Sequence, residues 1–239
     1  MNISFSGKVV LVAGGTGGLG RAVSLAFLEE GAKVIVTYRK QDEFATLRSA
    51  AAASADALEG HAVDVTDERA VAELIAGILS RHGRLDAVVN TVGGYAGGIK
   101  LWEMETKVFD AMLSLNLRSG FTLARAVLPT LLKQRYGSFV NVASKAAVDH
   151  GAGASAYAAS KAAAVAMMDS LAADARGTGV RVNSVLPSII DTAPNRQAMP
   201  DADFASWPMP KDIAQVILFL SSDTAKTIHG AAIPVYGNN

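Results

Sequence analysis

Cysteine is absent from the 239 residues, which excludes disulfides, thiolate catalysis and cysteine-ligated metals. Histidine is scarce. The four, at 61, 82, 150 and 229, are scattered and form no His-Glu-x-x-His pattern, so no metal site is expected. A charge excess of either sign is also missing: 22 Lys and Arg balance 22 Asp and Glu. That leaves no electrostatic footprint for nucleic acid or an anionic membrane surface. No apolar run approaches the roughly 18 residues of a membrane span. The opening MNISFSGKVV lacks the basic start, apolar core and cleavage site of a signal peptide. The chain therefore reads as cytoplasmic, with no nucleic-acid and no membrane partner.

What is present is apolar and periodic. Half of the residues are hydrophobic, enough for one large core. Short β-branched runs read as strands at 8–13, 33–38, 61–65, 85–90, 137–142, 181–186 and 231–235. Between them, helical patterns cover 18–30, 41–57, 67–82, 106–133, 156–176 and 211–221. Thr66 or Asp67 marks one helix start, and Gly31, Gly83 and Gly177 mark helix ends. Strands apolar on both faces and alternating with helices mean a parallel sheet covered on each side. The expected architecture is α/β, a doubly wound parallel sheet, in a single domain over 1–239. Such a sheet binds ligands beyond the carboxyl ends of its strands, where strand order reverses.

The first strand runs directly into AGGTGGLGRAV, residues 13–23. Gly15, Gly17 and Gly20 fit G-x-G-x-x-G, and Gly14, Gly18 and Gly20 fit the wider G-x-x-x-G-x-G. So many glycines match almost any pattern, but their place between strand and helix is telling. There they permit a tight turn and let a pyrophosphate approach the backbone and the helix N-terminus. The second strand ends VTYRK, with Tyr38 where an NAD-binding acid is expected and Arg39 next to it. A guanidinium suits a 2′-phosphate, so NADP(H) is the preferred cofactor and NAD(H) the alternative. Asp42 and Glu43 fall at the next helix start, where acids are ordinary. Tyr157 and Lys161, in YAASK, share one face of an alanine-rich helix.

Taken together these motifs resemble the short-chain dehydrogenase/reductase family over nearly the whole chain, which implies a Rossmann-like fold and an NAD(P)-dependent oxidoreductase. The glycine turn fits with Ala13 in place of the family's threonine, and Asn90 and Gly93 in NTVGG fit an altered Asn-Asn-Ala-Gly. The resemblance implies a catalytic set of Asn116, Ser144, Tyr157 and Lys161. It places the cofactor against Gly14, Thr16, Gly18, Leu19 and Gly20 at the first turn, and against Tyr38, Arg39, Asp64 and Val65 at its adenosine end. Asn90, Gly93, Pro187, Ile190 and Thr192 would line the rest, with Tyr157 and Lys161 at the nicotinamide. Tyr157 would exchange a proton with the substrate, its phenol made acidic by Lys161 and by an oxidised nicotinamide. Lys161 would hold the nicotinamide ribose, Asn116 a water, and Ser144 the substrate carbonyl. The family also implies a homo-oligomer, dimer or tetramer, for which Phe109, Met112, Leu113, Leu117 and Leu123 on the helix 106–133 would be core or interface.

The run SIIDTAPNRQAMPDADFASWPMPKD, with GGYAGG and SKAAVDHGAG, is similar to quinonoid dihydropteridine reductases of the same family. It implies a small-molecule substrate met by Tyr95, His150 and Trp207. Those reductases carry alanine in place of Ser144 and aspartate in place of Tyr38. Reduction of a small carbonyl or of a quinonoid, pterin-like ring therefore both stay open. A 3-oxoacyl-thioester reductase is the alternative, and a non-catalytic dinucleotide-binding regulator the second. Ser138, Ser155 and Ser160 lack the spacing of Ser144 and read as strand, cap or helix residues.

Overall fold

A computed structural model describes residues 3–238. Seven parallel strands form one sheet in the order β3-β2-β1-β4-β5-β6-β7. They are β1 (Val9–Ala13), β2 (Lys33–Tyr38), β3 (Leu58–Ala62), β4 (Ala87–Asn90), β5 (Gly137–Val142), β6 (Val180–Pro187) and β7 (Ala232–Val235). β1 lies between β2 and β4, so Val10, Leu11 and Val12 stand beside Val34–Val36 on one side and Ala87–Val89 on the other. The order reverses between β1 and β4, and the crevice above that point is where such a sheet takes a ligand.

β1, β4 and β5 are buried along their whole length, hence their valine-rich runs. Alternate side chains feed two cores. Val10 and Val12 join Phe27, Ile213 and Ile217 from α1 (Gly18–Glu29) and α8 (Pro210–Ser221). Val9 and Leu11 join Ile75, Leu123 and Met168 from α3 (Glu68–His82), α5 (Ser119–Gln134) and α6 (Ser155–Asp174). Helices on both faces follow from that division. Gly31, Gly83 and Gly177 all take positive φ at helix ends, and Asp67 caps α3 by accepting from the N–H groups of Arg69 and Ala70.

Three expected elements are redrawn. β3 covers Leu58–Ala62 rather than 61–65, because its ladder with β2 runs from Val34 opposite Leu58 to Tyr38, the last residue of β2, opposite Ala62. Val63, Asp64 and Val65 are thus released from the sheet into the turn above the crevice. The helix from 41 divides into α2 (Gln41–Ala51) and a 3-10 turn over Ala52–Ala57, at Ala52 with φ +47°. The helix 106–133 is α4 (Thr106–Leu113), a π-helical turn at Ser114–Arg118, then α5. Helical periodicity does not reveal that turn, and π-turns gather at functional sites. The π-turn carries Asn116. Residues 188–212 hold a short helix, α7 (Ala193–Ala198).

Candidate active site

The chain leaves β1 at Gly14, whose φ of +72° is cheap only for glycine. The Gly14 N–H donates to Thr37 Oγ1 at 2.9 Å and the Gly15 N–H to the Thr37 carbonyl at 3.1 Å, so β2 braces the turn. A methyl on Gly20 would lie 2.0 Å from the Gly14 carbonyl oxygen, and one on Gly18 would lie 3.0 Å from Thr192 Cγ2. α1 starts after Gly17 with no side-chain cap. Its first N–H groups and positive dipole end are therefore left for an anion. Leu19 turns into the core, so only its backbone is at the turn.

From this turn a cavity of about 270 Å³ extends past Thr16, Arg39 and Asp64 to Gly93. Asp64 accepts from the N–H and the hydroxyl of Thr66 at 2.9 and 2.8 Å. Those bonds, and Arg39 nearby, hold its carboxyl below the usual carboxylate range. Val65 is packed into the core beside it. Tyr38 stacks flat on Phe44 at 4.9 Å and donates to Gln41 Oε1 at 2.5 Å. Glu43, expected to be an ordinary helix-start acid, instead lines the cavity and accepts from Thr16 Oγ1 at 3.2 Å.

The catalytic end is tied more closely. Ser144 follows β5, and its oxygen accepts from the Ala146 N–H at 3.1 Å. It also lies close enough to the Tyr157 phenol to pull its pKa downward. Lys161, one turn along α6, is enclosed and donates to the Val142 carbonyl at 3.0 Å. Burial lowers its pKa to about 8. Burial pushes Tyr157 above its ordinary value, against a downward pull from Ser144. The Lys161 ammonium stands 6.0 Å from the centre of the Tyr157 ring and is engaged by the Val142 carbonyl. Asn116 Oδ1 accepts from the Gly94 N–H at 2.9 Å, and its Nδ2 donates to the Gly94 carbonyl and to Ser160 Oγ, each at 3.0 Å. Ser160, set aside in the sequence, thus links α6 to the π-turn. Gly93 passes where a methyl would come 2.9 Å from Asn116 Oδ1 and 3.1 Å from Lys161 Nζ, joining the two ends of the crevice.

The family model described as short chain dehydrogenase matches residues 8–203. The chain is a short-chain dehydrogenase. It is 32% identical to the 3-oxoacyl-(acyl-carrier-protein) reductase FabG of Thermotoga maritima, over 97% of both chains. It is 34% identical to the 2,5-dichloro-2,5-cyclohexadiene-1,4-diol dehydrogenase LinX of Sphingobium indicum, over 97% of this chain and 96% of that one. The structure of ElxO with NADP bound superposes with a TM-score of 0.91 at 26% identity, covering 96% of this chain and 97% of that one. The chain is thus an oxidoreductase dependent on a nicotinamide dinucleotide. No helix among the described residues is long and apolar enough to cross a membrane.

In this short-chain dehydrogenase the segment after β6 folds largely upon itself. Asp191 forms a bidentate pair with Arg196 at 2.5 and 2.7 Å, Thr192 caps α7, and Asn195 Nδ2 donates to the Ile190 carbonyl at 2.8 Å. Arg196 lies 4.7 Å from the ring of Phe204, which packs on Trp207 at 5.0 Å. Trp207 is therefore buried, not a free face for substrate. The unusual run that carried the pterin-reductase likeness encodes the fold of this segment. Pro187 pairs with Val235 at the end of β6. The Asn90 side chain is buried: it donates to Asn141 Oδ1 at 2.9 Å and accepts from the Val92 N–H, bracing the turn from behind. Tyr95 does reach the site, standing edge-on to Tyr157 at 5.0 Å over Gly97, where a methyl would meet its hydroxyl at 2.0 Å. His150 is exposed in the neighbouring loop, which is tied to the Tyr95 loop by the Ile99 N–H donating to the Gly153 carbonyl.

Proposed function

We propose that this short-chain dehydrogenase reduces a small carbonyl or a quinonoid ring, with NADPH preferred to NADH and Tyr157 as proton donor. The closeness of Ser144 to the Tyr157 phenol carries the reading, because it gathers a hydroxyl donor and an acid beside Tyr95. The residues fit a dinucleotide. The uncapped start of α1 suits a pyrophosphate, and Lys161 has one bond among the described residues, leaving two N–H donors for ribose hydroxyls. Arg39 would meet a 2′-phosphate, Asp64 and Val65 the adenine, and Thr192, over Gly18, the carboxamide. When bound, the reduced nicotinamide supplies the hydride.

Ser144 then donates to the substrate oxygen as charge develops there, and Tyr157 Oη passes its proton to the same atom. A phenol pushed up by burial is protonated at neutral pH, the state that reduction needs. Oxidation needs the phenolate and so gains with alkalinity. The ring substrate of LinX favours a flat cyclic ketone, for which Tyr95 offers an exposed face. Reduction of a 3-oxoacyl thioester is the second reading, favoured by the FabG likeness. Consumption of NADPH and NADH, followed optically with a cyclic diketone, quinonoid dihydropterin and an acetoacetyl thioester, tests both. Turnover of the thioester alone would replace the first reading by the second, and turnover of none would reject both. Self-association is part of the proposal, across α4 and α5, where Phe109 and Phe121 are exposed and Leu113 and Leu117 half-buried. Met112 and Leu123 belong to the core. Light scattering reads the oligomer directly.

A further inference from the structure

Opposed charges meet at the adenosine end of the cleft. Arg39 follows β2 on the exposed rim, and Glu43 lies four residues on, in the first turn of α2. The start of α2 is fixed by Tyr38, which stacks on Phe44 and donates to Gln41. Glu43, between those two anchors, is thereby aimed back at the glycine turn. Its Oε2 accepts from Thr16 Oγ1 at 3.2 Å, and Lys40 Nζ stands 3.4 Å from its Oε1. Thr16, Arg39 and Glu43 line the same cavity. The Lys40 partner is 71% exposed, so it holds the carboxylate only loosely.

We infer that Glu43 is a specificity-determining residue for the cofactor: its carboxylate accepts from an adenosine 2′-hydroxyl and opposes a 2′-phosphate, against Arg39. This rests on the dinucleotide reading above. The acid that ordinarily selects NAD at the end of the second strand is replaced by Tyr38. Glu43 restores an acid to that recess from the next helix, beside a guanidinium that attracts the phosphate. The pair produces a graded choice between NADPH and NADH rather than exclusion of either.

Calorimetric titration with adenosine 2′,5′-bisphosphate and with adenosine 5′-monophosphate tests this without turnover. Glu43→Gln is expected to tighten the bisphosphate about five- to tenfold, the scale of one charge contact near the surface, and to weaken or leave unchanged the monophosphate. No change, or an equal change for both probes, overturns the inference. Thr16→Val keeps the carboxylate but removes its hydroxyl partner, and is expected to leave the ratio of the two affinities within about twofold. If it reproduces the Glu43→Gln shift, Glu43 acts only by bracing the turn, and the inference falls. Arg39→Ala separates the two readings. A shift with Glu43→Gln but none with Arg39→Ala keeps Glu43 and rejects Arg39, and the converse does the opposite.

Discussion

At the proposed catalytic end of the cleft the side chains are tied to neighbours, and Asn116 and Lys161 are enclosed. At the proposed adenosine end Arg39 and Lys40 stand in solvent and Glu43 is only half-withdrawn. The difference follows from what each end must do. Proton transfer needs atoms fixed within a few tenths of an ångström and charges little screened by water. Choosing between a hydroxyl and a phosphate needs only a local sign of charge, which flexible surface residues supply. Losses at the first end should therefore be large and accompanied by stability changes, and at the second modest and selective.

The largest effect is expected from Tyr157→Phe, which keeps the ring against Tyr95 and removes only the proton donor. Reductive kcat/KM should fall about a thousandfold or more, with binding of adenosine 2′,5′-bisphosphate unchanged. A loss below tenfold would mean that another group protonates the substrate.

Lys161 sharpens the comparison because it sets function against stability. Its folded value of about 8 lies below that of an unfolded lysine. Below pH 8 both states are charged and the full cost of burying the ammonium is present. As pH rises from 8 to the ordinary lysine value the unfolded chain binds more protons, so that cost is relieved. Lys161→Met should abolish most turnover yet raise stability at pH 7 by about 2 kcal/mol, after allowing for the bond lost to Val142. The gain should shrink in denaturant melts at pH 10. In the unaltered enzyme, reductive kcat/KM should decline above about pH 8 as Lys161 loses its proton. A reductive profile flat to pH 9 would remove Lys161 from the reaction.

The sheet and its helices were legible because their signals are local or periodic, and the family resemblance picked out the catalytic candidates. Valine runs mark strands, glycines mark ends, and Tyr157 and Lys161 are neighbours on any helix. The illegible parts depend on three-dimensional closure. Nothing in HAVDV shows that its ladder with β2 will end at Ala62 and leave Asp64 outside the sheet. Helical spacing in SLNLRS hides a π-turn, and the role of Ser160 exists only once Asn116 lies across from it. The tie of Lys161 to the Val142 carbonyl is hidden for the same reason: spacing gives the distance along a helix, but not which carbonyl claims the ammonium.

Smaller effects belong to the solvated end. Arg39→Ala should weaken NADPH by about tenfold and leave NADH within about twofold, and the gap should narrow at high salt, where an exposed ion pair is screened. Equal losses for both cofactors would make Arg39 a brace for Asp64 rather than a reader of phosphate.

The smallest effect tests whether the segment after β6 belongs to the rigid end or the solvated one. Arg196→Leu removes the pair with Asp191 and the contact with Phe204 while keeping an apolar side chain at the end of α7. If the segment only closes over substrate, KM for the carbonyl should rise about two- to threefold with kcat nearly unchanged, since an exposed ion pair holds such a fold weakly. The relevant link is Thr192, which caps α7 and touches Gly18 at the glycine turn. Loosening the segment should therefore raise KM for the dinucleotide as well, by a comparable factor. A change confined to the carbonyl substrate would show that α7 moves without Thr192, and that the two ends of the cleft are held separately.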